Sequence, residues 1–398
     1  MIRTEALGLQ QAAFNDAARE AFRPLKTRLS DLRESEKDTS GAFAEIWKCL
    51  TQIGWFGCLI PEEFGGSERG ILAMALAYEE LASQGVLTTF PVLTALSTAC
   101  IARFANNTLK QHVLPRIAKG ELKVCVSATE ETAGFNLFGI KTFAKKERDH
   151  YLISGSKTYA SGFDLADYAL VVTRTTSLEE CETRGLPKTV GLSLFLVDTR
   201  APGISKTPLN TRGEGAVKQF KVDFLNVRSP AEALIGKENE GALSLFVSFN
   251  IERVLLAAGV LGTSQFCLDV ACEHARNRRV FGDTPIGQYQ AVQHPLADVK
   301  IRQEAVRLMT YRTAEAIDQG EDPSKVVVLA NSTKYLASEL GLKAVDAALE
   351  ALGGKGFDQD TGIIQLWETM RLLKLSPISN SLILNDIAER VLNLPRSR

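Results

Sequence analysis

The chain has 398 residues, enough for two or three domains with a sizeable buried core. Hydrophobic residues make up 45% and charged residues 23%, and 46 Lys+Arg against 47 Asp+Glu leave a net charge of −1. That balance excludes an intrinsically disordered chain, a collagen-like repeat and a small disulfide scaffold, and it gives no bulk basic field for nucleic acid.

The opening MIRTEALGLQQAAFNDAAREAF places acidic residues early and has no apolar block with a cleavage site, so no leader is expected. From residue 5 to about 120 the pattern is helical. Phe43, Ile46, Trp47 and Leu50 recur at the spacing of one buried helix face. A break follows at Pro61-Glu62-Glu63-Phe64-Gly65-Gly66, and Ile71, Met74, Tyr78 and Leu81 mark a second helix.

From about 121 to 235 the texture changes to short apolar runs between turn residues. Tyr151–Ile153, Ala169–Val172, Leu192–Val197 and the alternating Phe220–Phe224 read as strands of an antiparallel barrel or sandwich. After Gly236 long helices return, with Leu296, Val299, Val306 and Met309 on one face and Lys300, Arg302 and Glu304 elsewhere. The expected class is α+β. It comprises an N-terminal helical domain (1–120), a middle β domain (121–235) and a C-terminal four-helix-bundle domain (236–398).

Val254–Val260, the most apolar stretch, is too short to span a bilayer, so neither a membrane nor a nucleic acid is expected as a partner. Cys49, Cys58, Cys100, Cys125, Cys181, Cys267 and Cys272 are odd in number and never spaced CxxC, which reads as reduced thiols in a cytoplasmic protein. His112, His150, His274 and His294 show no metal spacing, and no metal is expected.

Five segments could carry chemistry, each with a plain structural alternative. Gly353-Gly354-Lys355-Gly356 ends a helix by default and otherwise touches a cofactor. Asn250-Ile251-Glu252-Arg253 leads into a nearly all-apolar run. The charged pair is either at a helix edge, mutually paired, or retained so that a carboxylate in an apolar pocket can act as a base near neutral pH. Arg276 to Gly282, with Gln290 beyond, either complements a helix dipole or grips a pyrophosphate. Ser127–Glu130 and Tyr159–Gly162 put hydroxyls and an aromatic ring at strand ends, where they could meet a planar heterocycle.

Taken in order, the segments resemble the acyl-CoA dehydrogenase family over essentially the whole chain. Gly57 to Gly66 is similar to "GxxxPEEYGG", and Thr129 to Gly134 to "TEPxAGSD". Gly155 to Asp167 resembles "GxKxWIT…AD", with Tyr159 for tryptophan and Ser161 for threonine. Arg278 to Gln290 is similar to "RxxFGxPIxxxQ" with one extra residue, and Leu352 to Phe357 matches "xGGxGF".

The resemblance implies FAD bound near subunit contacts of a homodimer or homotetramer. Thr129 and Ser161 would hydrogen-bond the ring, Tyr159 would lie beside it, and Val126 and Ser127 would belong to the same wall. Arg278, Phe281 and Gln290 of a neighbouring subunit would hold the pyrophosphate and adenosine end, helped by Glu350, Gly353 and Gly354. An acyl thioester would sit against the ring, near Phe135, Asn250, Arg253 and Asn380.

Many members carry the base in a C-terminal "YEGT" segment, where this chain has Ser379-Asn380-Ser381-Leu382, and Asn380 cannot act as a base. A subgroup including isovaleryl- and long-chain-type enzymes places it on an earlier helix, and Glu252 resembles that version. The expectation is therefore α,β-dehydrogenation of an acyl thioester, on coenzyme A or a carrier protein, with an electron-transfer flavoprotein as possible acceptor. Phe135-Asn136 in place of Ser-Asp and Glu350 in place of glutamine would suit a carrier-bound acyl group of biosynthetic fatty acid metabolism. A flavin oxidase or monooxygenase on the same fold and a non-catalytic FAD-binding scaffold are the alternatives.

Overall fold

The computed structural model describes residues 9–28, 39–213 and 217–397. Residues 5–8 and 29–38 of the expected helical region lie outside them. The N-terminal part contains α1 (Leu9–Phe22), α2 (Thr39–Gln52), α3 (Gly70–Ser83), α4 (Phe90–Phe104) and α5 (Asn107–Ala118). Phe43, Ile46, Trp47 and Leu50 of α2 are buried, as their spacing requires. On α3 every residue from Ile71 to Ala82 is buried, so this helix has no solvent face and lies inside the molecule.

The middle strands are β1 (Val124–Ser127), β2 (Phe143–Lys146), β3 (His150–Ser161), β4 (Tyr168–Arg174), β5 (Leu192–Asp198), β6 (Ile204–Pro208), β7 (Gln219–Pro230) and β8 (Leu234–Ile235). A short helix, α6 (Leu178–Thr183), interrupts them. They form one eight-stranded sheet in the order β6-β7-β3-β2-β4-β5-β8, with β1 also paired to β4. Most pairs are antiparallel, in line with the strand texture. The parallel partners of β4 could not be read from alternation, because alternation reports which face is buried and not strand direction. One edge of β4 is shared. β1 pairs in parallel with Tyr168–Val171, and β2 meets only Arg174. The loop between β1 and β2, residues 128–142, therefore leaves the sheet at that shared edge.

The C-terminal part contains α7 (Gly241–Asn277), a hairpin of β9 (Arg279–Val280) and β10 (Thr284–Pro285), α8 (Gln290–Asp318), α9 (Pro323–Leu352), α10 (Ile363–Leu372) and α11 (Asn380–Arg390). The first three helices are long, and the last two are short ones packed against α9. α7 runs for 37 residues and is long and apolar enough to cross a bilayer. This corrects the expectation built on Val254–Val260, since the apolar pattern continues well past that stretch. The helix is instead core: its most apolar window is largely buried against its neighbours.

Two polar ties join α3 to α8. The N–H groups of Ile71 and Leu72 donate to the Asp318 carboxylate at 2.7 and 3.0 Å, which satisfies two donors at the α3 N-terminus. Glu79 accepts from Arg307 at 3.1 Å and from the Tyr311 hydroxyl at 2.7 Å. α3 and α7 approach closely because Gly262 has no side chain: a Cβ there would lie 2.1 Å from the Glu79 carbonyl oxygen. All seven cysteines are free thiols.

Gly262→Ala must push α3 and α7 apart, because its obstacle is backbone. It is expected to cost about 1–3 kcal/mol or more, read as a lower midpoint of chemical unfolding relative to the parent chain.

Candidate active site

The β-domain half of the site is built around a buried ion pair. Glu130 and Lys157 approach to 2.9 Å, with Lys157 wholly buried and Glu130 nearly so. Lys157 also donates to the Ala128 carbonyl at 3.0 Å, and Glu130 accepts from the Lys141 and Thr142 N–H groups at 2.7 and 2.8 Å. Burial would raise the Glu130 carboxyl. Lys157 and the hydrogen bonds from Thr142 and Lys141 outweigh it and hold the group below its ordinary value. Burial is the larger influence on Lys157 and pulls the amine down to about 8 against the pull of Glu130.

The pair fastens the end of β1, the start of β2 and a bulge in β3 to one another. The bulge falls between Lys157 and Ala160, and inside it Tyr159 adopts φ +53° with its ring 60% exposed. Ser161 follows, exchanging hydrogen bonds with Gln219 at 2.9–3.1 Å. Val126 and Thr129 are half-buried, and Ser127 is buried with its hydroxyl unpartnered among the described residues. Phe135 stands exposed on the looped-out segment. Fully buried Arg174 steadies that loop from below by donating to the Phe138, Thr176, Lys188 and Val190 carbonyls. The Phe138 ring packs on Phe246 at 5.7 Å, and Phe246 on Phe249 at 6.2 Å, one turn before Glu252 on α7.

Glu252 is 8% exposed and Arg253 is buried beside it. Arg253 donates to Asn250 Oδ1 at 2.7 Å, while its Nε is buried without a partner. Burial lowers the Arg253 guanidinium against the opposing pull of Glu252 and Asp386. Asn380, at the start of α11, is engaged at both ends of its amide. Its Oδ1 accepts from Lys334 at 2.9 Å and Ser338 at 3.1 Å, and its Nδ2 donates to Glu339 at 2.8 Å.

The remaining expected residues gather elsewhere. Arg278, Phe281 (92% exposed), Gln290, Glu350, Gly353 and Gly354 all lie at the surface. Lys355 and Arg278 both act electrostatically on His274, so the Gly353–Phe357 turn and the end of α7 lie together. Glu350 lines a groove of about 840 Å³ between α8 and α9, with His294 and Asp298. Helical rise along α7 puts about 39 Å between Glu252 and Arg278, further than one dinucleotide spans.

The chain matches three family models: "Acyl-CoA dehydrogenase, N-terminal domain" over residues 9–121, "middle domain" over 125–227 and "C-terminal domain" over 239–392. The chain belongs to the acyl-CoA dehydrogenase family. Acyl-CoA dehydrogenase FadE12 of Mycobacterium tuberculosis is 37% identical over 355 residues, 89% of each chain. Cyclohex-1-ene-1-carbonyl-CoA dehydrogenase of Geobacter metallireducens is 29% identical over 367 residues, 90% of this chain and 93% of that one. Among solved structures, the glutaryl-coenzyme A dehydrogenase complex with glutaryl-CoA superposes with a TM-score of 0.88 at 26% identity, covering 98% of this chain and 97% of that one.

The cofactor of this family member is FAD, and its reaction is flavin-dependent dehydrogenation of an acyl thioester. The residues present fit that cofactor. An orphaned Ser127 hydroxyl and an outward aromatic ring mark the β side, and at the far end the Gly353-Gly354 turn has open space where Cβ atoms would stand.

In the sequence Glu130 and Lys157 are letters of two separate motifs, and nothing local marks them as a pair. The available signal was a lysine in the inward phase of a long strand. Arg174 and Lys334 were missed outright, although Lys334 falls on the small-residue stripe Ala330, Ala337, Gly341 of α9.

Glu130→Gln would leave Lys157 buried and unpaired. It is expected to cost about 3–5 kcal/mol and to weaken FAD retention, measured by unfolding and by flavin absorbance after gel filtration. Because the folded carboxyl lies below its ordinary value, its stabilising contribution is present above pH 4.5 and lost as pH falls through the folded value. The parent chain should therefore lose stability on acidification more steeply than the variant.

Proposed function

We propose that this chain dehydrogenates an acyl-CoA with Glu252 as the base. The carboxylate removes the α-proton of the thioester, and the β-hydrogen leaves with its electron pair, giving the 2-enoyl thioester. Bound FAD supplies the acceptor for that hydride. Val126, Ser127, Thr129, Tyr159 and Ser161 would hold the ring against the β domain. Arg253 keeps Asn250 in place beside the base, and Phe135 stands on the loop facing solvent, on the side where a carrier would approach.

The observation that carries this reading is the distribution of acids. Ser379–Leu382, the stretch corresponding to the usual base-bearing segment, has no acidic residue, nor has the chain around it from Leu375 to Leu384. Glu252, buried on α7 one turn past the phenyl row, is the acid at the alternative base position that the family resemblance offers, where a carboxylate suits proton abstraction from carbon.

Coenzyme A is the proposed carrier, since the named relatives act on CoA thioesters. The proposed assembly is a homodimer or homotetramer. The separation of Glu252 from Arg278 supports it, because one chain cannot bring both to the same cofactor. The proposed setting is cytoplasmic fatty acid metabolism, with an electron-transfer flavoprotein as acceptor.

Glu252→Gln is expected to purify yellow and FAD-loaded, yet to lower the rate of flavin reduction by acyl-CoA by a factor on the order of 10² or more in anaerobic stopped-flow. Reduction at the parent rate would refute the assignment. A panel of acyl-CoA thioesters and their carrier-protein counterparts, scored by anaerobic bleaching, tests the choice of carrier.

A further inference from the structure

Lys334 of α9 is 3% exposed, yet both groups that accept from its ammonium are neutral: the Ile378 carbonyl at 2.6 Å and Asn380 Oδ1 at 2.9 Å. A buried ammonium is costly without negative charge close by, and a simple structural pin between two carbonyls needs only a neutral donor. The nearest carboxylate on its own helix, Glu339, is taken by Lys374.

What faces the amine identifies its role. Arg253 and Glu252 act on it from α7, Glu339 from α9, and Lys374 from beyond α10. The turn it binds is closed by the Asn380 N–H donating to the Lys374 carbonyl at 3.0 Å. That turn lies on α7, since Leu373 and Ser376 enclose a void of about 10 Å³ together with Lys334, Ser338, Leu256, Ala257 and Val260.

We propose that Lys334 is a positioning residue of the dehydrogenation, holding the 374–380 turn against α7 and supplying positive charge to the surroundings in which Glu252 takes the substrate proton. This rests on Glu252 being the base. The residue acts through Glu252 and touches neither substrate nor cofactor. Burial and the charge of Arg253 bring the amine down to about 7, with Glu339 and Glu252 pulling the other way. The amine and the base are therefore coupled, since protonating Glu252 removes part of what keeps Lys334 charged.

The test uses the FAD-loaded enzyme and anaerobic flavin reduction by an acyl-CoA that the parent turns over, followed across pH. Removing a nearby cation favours the protonated form of a carboxylic acid. Lys334→Met should therefore keep its flavin and move the acid limb of the profile up by about one unit, a tenfold loss of rate on that limb. Lys334→Arg should leave the limb where it is. If Lys334→Met does not fold, Lys334→Gln, which keeps a donor and lacks the charge, reads the same limb. A folded, flavin-loaded neutral variant with the parent's limb overturns the proposal. Glu252→Gln runs alongside: reduction at the parent rate in that variant shows that the base assignment itself has failed. A slow Glu252→Gln with an unmoved limb in Lys334→Met removes Lys334 alone.

Discussion

The ion pair between Glu130 and Lys157 is the constraint on which the flavin side of this molecule depends. Burying two charges is unfavourable unless their remaining hydrogen-bonding capacity is satisfied, and here it is met by the Ala128 carbonyl and two backbone N–H groups. Those partners belong to the exit from β1 and the entry to β2, the two strands that share one edge of β4. The pair adds to two backbone ties at the ends of the 128–142 segment, Thr158 N–H to the Thr129 carbonyl at 2.9 Å and Arg174 N–H to the Thr142 carbonyl at 2.8 Å. With it, the loop departs from a defined point, and the β3 bulge that begins at Lys157 turns Tyr159 outward. A strained residue at φ +53° persists only where its neighbours over-determine it, and the buried lysine two positions earlier does so.

The second organising element is α7. Its N-terminal half meets the β domain through the Phe138–Phe246–Phe249 row and carries Glu252, and its C-terminal end carries the Arg278–Phe281 hairpin. A 37-residue helix is a long spacer, so its Glu252 and its C-terminal hairpin stand far apart within one chain. The exposure of the Phe281 ring fits the same logic, because a large apolar side chain at a hairpin tip gains nothing from water.

Much of this was legible in the residues. Periodicity located α2, α3, α8 and the strands β3, β4, β5 and β7, since a buried helix face or a short β-branched run is a local property. Ordered motifs gave the family, and with it the cofactor. What stayed hidden were facts about pairs distant in sequence. Glu130 and Lys157 are each an ordinary charged residue until the sheet register brings them together. Arg174 reads as a strand-end arginine, yet it is buried and bonded to four carbonyls with no acid among them. The parallel pairing of β1 with β4 is likewise a long-range choice that alternation does not encode. α7 was underestimated for the opposite reason. The charged pair Glu252-Arg253 broke the apolar run on paper, while in three dimensions the helix continues through it, because neighbouring elements supply the charges and amides that such a pair needs.

That last point bears on how a base can move within one fold. An acid on the turn before α11 would face Lys334 directly. With Asn380 there instead, the turn still closes, because an amide oxygen accepts from the ammonium as a carboxylate would, and its Nδ2 gains Glu339. On α7, across the same seam, the Glu252 carboxylate lies within electrostatic reach of Lys334 and Arg253. Proton abstraction requires a carboxylate facing the substrate carbon, and the scaffold requires only that its buried cations find charge or dipoles nearby. Those two requirements are separable, which allows the residue that satisfies the first to sit at either place.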